Sequence, residues 1–222
     1  MNERLNTGRL GIWALIAVSL SALNFAAYTS ASAADSPSES LFIWSFAGGN
    51  AIFLCIWIVI SLAISNGHPE FRALRRPRTT LPAAIGLGFL AIVGSVVASL
   101  FVTNLGGDPA REQGLLNEHW QSGKLMPFIV GVLVLTVLTP IAEELFVRGL
   151  GFALFRPFGQ AAAIAAPALV WALMHGIPSA IFPLFVFGIG LGYLRERSDS
   201  VVPGMVVHGL YNGLAVALAY AI

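Results

Sequence analysis

Six side chains in this sequence could do chemistry in an apolar setting: Glu143, Glu144, Arg148, His175, His208 and Asn212. All six sit in or against long apolar runs. A charge at the centre of a membrane helix costs roughly 2.5–3.5 kcal/mol on insertion scales. Glu143, Glu144 and Arg148 fall within six consecutive residues. Either they close a span, or they are held inside it because a reaction needs them. A carboxylate, two imidazoles and an amide are the parts needed to activate water and to stabilise an oxyanion.

Spacing separates the two glutamates. Glu144 and Arg148 stand at i, i+4 with the acid N-terminal, the favourable order for a helical ion pair. Glu143 points about 100° away on the same helix and has no such partner, which leaves it available as a general base near neutral pH. His208 and Asn212 are again at i, i+4 and share one helix face, with Gly204, Gly209 and Gly213 thinning that helix for close neighbours. Trp171 is one turn before His175. The bland readings are an interfacial end of a span for the acids, a helix-end hydrogen bond for His175, and a polar interhelical contact for His208 and Asn212. His68 and His119 fall in polar connections and read as solvated.

The elements that must position these groups are apolar helices. Of 222 residues 57% are hydrophobic and 10% charged, against about 25% charged in soluble domains. The charges cluster, and no short alternating segments suggest a membrane β-barrel. The fold class expected is all-α: a polytopic membrane helical bundle of about seven spans forming one domain over residues 1–222. The spans read as 10–27, 41–64, 81–105, 125 through Glu143 towards Val147, 161–175, 179–194 and 201–221. Ala31-Ser32-Ala33 resembles a signal-peptide cleavage site, but the run before it is long for a signal peptide, so an uncleaved first span is expected. Ten arginines fall in segments on the N-terminal side of the membrane, against Arg111 and Lys124 on the other. That asymmetry puts the N-terminus inside and the C-terminus outside. The fifth run is short, about 24 Å at 1.5 Å per residue, against a hydrocarbon core of about 30 Å. Cys55, in an apolar run, is expected to be a buried thiol that pairs with nothing. No basic patch suggests nucleic acid as a partner.

Glu143-Glu144-x-x-x-Arg148, Trp171-x-x-x-His175 and His208-x-x-x-Asn212, in this order and setting, resemble the CPBP/Abi family of intramembrane proteases, which includes the Rce1-type CAAX prenyl endopeptidases and bacteriocin-processing relatives. The resemblance covers about residues 125–215 as a protease core, with residues 1–120 as accessory spans. One departure is Trp171, where the family often has Phe. The resemblance implies a glutamic-type endopeptidase of the bacterial plasma membrane, with its site open towards the cytoplasm. It implies that Glu143 activates water, His175 positions that water, His208 and Asn212 stabilise the oxyanion, and Glu144, Arg148 and Trp171 support them. The implied substrate is a peptide or lipidated protein in the bilayer, and no cofactor is expected. Two alternatives remain open: zinc held by Glu143, His175 and His208, and a non-proteolytic scaffold, immunity protein or transporter. On the simple reading of the spans His175 lies at the far end of its helix from Glu143, so the two meet only if the hairpin is shallow or the fourth helix is tilted.

Overall fold

A computed structural model describes residues 3–34, 41–66, 68–112 and 121–221. His119 and Glu118 lie outside the described residues. Among those described, the secondary structure is helical throughout, with no strand. Seven main helices follow one another: α1 (Glu3–Ala34), α2 (Trp44–Ile64), α3 (Leu81–Asn104), α4 (Leu125–Phe158), α5 (Gln160–Met174), α6 (Ile181–Ser198) and α7 (Val202–Ala221). Single turns at Pro69–Arg72 and Pro109–Glu112 sit in the connections. Large apolar side chains such as Ile52, Leu90 and Leu105 remain exposed along the bundle, as a surface facing lipid requires.

Among the described residues, six helical segments are long and apolar enough to cross a membrane, against about seven expected. The exception is α5, whose 15 residues span about 22 Å at 1.5 Å per residue. The second correction is larger. The fourth helix does not end near Val147 but runs 34 residues to Phe158, because the charges expected to close it are neutralised inside it. A helical turn at Arg156–Phe158 then ends at Gly159, whose φ of +101° suits glycine. Cys55 is exposed, not buried. A lipid-facing surface is as apolar as a core, so an apolar neighbourhood does not imply burial.

Two stretches of α4 are wound in π-helical form, Val134–Leu138 and Leu145–Gly151. The first has a covalent cause. Pro140 has no N–H to continue the ladder, and just before it the Thr139 N–H bonds to Val134 O instead of Leu135 O. The carbonyl so released is taken up by α7: Asn212 Nδ2 donates to Leu135 O at 2.9 Å. Gly209 sits on the neighbouring Thr136 carbonyl, so close that a Cβ would lie 2.4 Å from it. The second stretch accepts at Phe146 O a 2.9 Å bond from the buried Trp13 indole of α1, whose ring stacks on Phe146.

Small residues set the remaining approaches. On α6, Gly188 and Gly192 lie against Ala168 and Ile164 of α5, while Gly190 lies against Ala91 of α3. This is the small-residue packing that lets membrane helices associate without a hydrophobic driving force. Ser95 of α3 bridges Pro183 O and the Tyr211 hydroxyl.

Candidate active site

The site is built where α4, α5 and α7 meet. Glu143 lies near the middle of α4 rather than at an end. It stands sixteen residues before the turn at Gly159, and His175 stands sixteen after it. Two antiparallel helices leaving one tight turn with equal rise bring those positions level. The difficulty of depth disappears once α4 continues to Phe158. Asn24 of α1 secures the far end of α5, donating to Met174 O at 2.6 Å. Gly176, at φ +68°, rests directly on the Asn24–Phe25 backbone.

The expected ion pair is present. Glu144 and Arg148 pair at 2.9 Å with side chains 0% and 2% exposed. Arg148 also donates to Gly188 O and lies over the Trp171 ring, 4.6 Å from its centroid. Removing one partner of such a pair strands a buried charge. The second oxygen of Glu144 faces Gly204, where a Cβ would come within 2.8 Å.

Glu143, 12% exposed, accepts a hydrogen bond from the Trp171 indole N–H. The sequence placed Trp171 beside His175, and this bond to the candidate base went unseen. A Phe there would have no donor. Trp171→Phe keeps an aromatic ring beside Arg148 but removes the indole N–H together with the five-membered ring that carries it. A hydrogen bond to a charged group contributes about 1.5–3 kcal/mol, so loss of Glu143 alignment is expected to slow turnover about 10- to 100-fold. Turnover of a cleaved peptide, measured beside the melting temperature, checks this; unaltered turnover would show that the bond does not align Glu143.

Both imidazoles are oriented by their Nδ1 atoms. His208 Nδ1–H donates to Glu144 Oε1 at 3.1 Å, which leaves Nε2 facing Glu143 Oε2 at 3.8 Å. That gap is too long for a direct bond and suits a shared water at its side. His175 Nδ1–H donates to Trp171 O at 2.9 Å, so in the neutral ring Nε2 is an acceptor. The Trp171 ring meets both imidazoles edge to face, at 4.8 Å for His175 and 5.4 Å for His208. Asn212 gives one amide hydrogen to Leu135 O and keeps a second. Glu143, His175 and His208 thus gather around Trp171, while Asn212 stands one turn beyond His208 on α7. Among the described residues no three His, Cys, Asp or Glu side chains form a group arranged to hold a metal ion.

Residues 125–214 match the Rce1-like family, described as type II CAAX prenyl endopeptidase Rce1-like. The matched segment contains all seven residues singled out above, from Glu143 to Asn212. No curated protein and no solved structure matches the chain. The Rce1-like segment spans α4 to α7, so α1, which contributes Trp13 and Asn24, lies outside it.

Proposed function

We propose that this protein is a glutamic-type intramembrane endopeptidase acting on a membrane-associated peptide or lipidated protein. The observation that carries the reading is the pairing of opposites on α4: one carboxylate locked to Arg148, its neighbour partly open and facing His208 Nε2 across 3.8 Å. In this reading Glu143 takes a proton from a water bound beside it, and the water oxygen attacks the scissile carbonyl carbon. His175 Nε2 accepts the second water hydrogen and fixes its direction. His208 Nε2, when it carries a proton, and the free amide hydrogen of Asn212 donate to the tetrahedral oxyanion. The intermediate collapses as the C–N bond breaks, and Glu143 returns the proton to the leaving amine. Each step is general acid–base or oxyanion chemistry of the usual kind.

No cofactor enters this scheme. In the same reading the site opens to the cytoplasm, the side to which the positive-inside rule assigns the end of the bundle carrying Arg75, Arg78, Arg156 and Arg195. The test is a library of membrane-anchored peptides incubated with purified protein in nanodiscs and analysed by mass spectrometry, with and without a chelator. Internal cleavage that the chelator leaves unchanged is expected. Cleavage lost to the chelator and restored by zinc would replace this mechanism with the metal one. No cleavage of any peptide would favour the non-proteolytic alternatives.

A further inference from the structure

The arginine-rich end of the bundle holds a cavity of about 540 Å³ with charged walls, apart from Glu143 and its partners. It is enclosed by the connection after α2, the end of α4 and the end of α6. Three guanidinium groups converge there on one carboxylate: Arg75 at 3.1 Å, Arg78 at 3.3 Å and Arg195 at 3.2 Å from Asp199. One negative charge set against three positive leaves a local excess of two. Arg156 faces the same cavity and pairs with Glu196 at 2.8 Å. Glu70, also on the wall, turns to His68.

The arrangement is pinned by its backbone. Arg78 N–H donates to Ser198 O, Arg75 Nε to Asp199 O, and Ser200 Oγ to Arg75 O. The guanidinium groups are nonetheless reachable: the Arg78 and Arg156 side chains are 76% and 49% exposed. Phe158 and Leu74, adjoining the wall in sequence, are exposed apolar side chains. The cavity therefore lies where spans end, with charge inside and apolar residues beside it.

We infer that this cavity binds the phosphate headgroup of an anionic membrane lipid. Guanidinium groups match phosphate oxygens in a bidentate way. Basic pockets between membrane helices on the cytoplasmic side take such headgroups, and the volume falls within the range of small-ligand sites. Phe158 and Leu74, next in sequence to the wall residues Pro157 and Arg75, are exposed apolar side chains for the acyl chains to contact. A soluble anion would satisfy the same arginines but would make no use of those apolar neighbours.

The test uses purified full-length protein in mixed micelles with phosphatidylglycerol or phosphatidylcholine, read by native mass spectrometry. The wild type is expected to retain phosphatidylglycerol preferentially. Arg78→Gln with Arg156→Gln removes two cavity charges, each worth about a fivefold factor near a membrane, so preference should fall about 30-fold. The corresponding lysine pair keeps the charge but loses the bidentate match, and should retain only part of it. Arg76→Gln with Arg197→Gln removes the same charge from exposed positions outside the cavity wall and should leave the preference nearly intact. Equal losses in the two glutamine pairs would reduce the effect to general surface charge and overturn the site. No preference in the wild type would overturn it too. Inorganic phosphate bound by the lipid-free protein as tightly as phosphatidylglycerol would make a soluble anion the occupant, and the lipid assignment would fall.

Discussion

Glu143→Gln should abolish most peptide cleavage while leaving the fold intact. Gln has nearly the shape of Glu, and its carbonyl oxygen can still accept the Trp171 N–H that now binds Glu143 Oε2. What it lacks is basicity. A positioned general base contributes about 10²- to 10⁴-fold, so cleavage should fall by that factor with KM nearly unchanged. The melting temperature should stay close to wild type, since the deep ion pair on α4 belongs to Glu144. Quantitative mass spectrometry of product formation, with thermal melting in the same detergent, measures both. Wild-type cleavage by the variant would remove Glu143 as the base. Lost cleavage with a collapsed fold would show instead that Glu143 is structural.

Much of this arrangement is legible in the sequence, for identifiable reasons. The i, i+4 spacing of Glu144 and Arg148 separates the two acids in the sequence itself, and the pair forms at 2.9 Å. The glycines of α7 announce close approach, and Gly204 and Gly209 do meet Glu144 and Thr136. What misled was the assumption that charge ends a span. Setting the end of α4 near Val147 hid the equal separations of Glu143 and His175 from Gly159, which were present in the sequence. Pro140 was a signal of the same kind. A missing N–H inside a helix frees a carbonyl, and Asn212 is the side chain that takes it.

Other features had no readable signal. The bond from His208 to Glu144 depends on how α7 is rotated against α4, and no local periodicity reports that. The reach of α1 into the site is similar. Trp13 and Asn24 look like ordinary members of an apolar span, yet they fix Phe146 O and Met174 O. In a membrane protein, core-facing and lipid-facing sides are equally apolar, so hydrophobic pattern does not tell which side packs. Cys55 on the exposed side of α2 is the same effect with the opposite outcome.

That buried pair also allows stability and chemistry to be separated by experiment. Arg148→Met is expected to destabilise the protein strongly, by about 3–5 kcal/mol, because it leaves the fully buried Glu144 carboxylate without its cation. The guanidinium stacking on Trp171 is lost with it. Adding Glu144→Gln removes the stranded charge. The large cost of breaking a buried pair is that of the uncompensated charge, so the double variant, which has none, should regain much of the lost stability. Its cleavage should nevertheless stay low. His208 Nδ1 now donates to a carboxylate at 3.1 Å, and a neutral amide that can rotate to present either end holds the ring less firmly. Thermal melting of both variants and the wild type, alongside cleavage of one peptide, gives the two readouts. Recovery of stability without recovery of cleavage identifies Glu144 as the group that orients His208. Recovery of both together would mean that the ion pair serves only to keep α4 folded, and that the ring is oriented by its packing against Trp171 and Phe187.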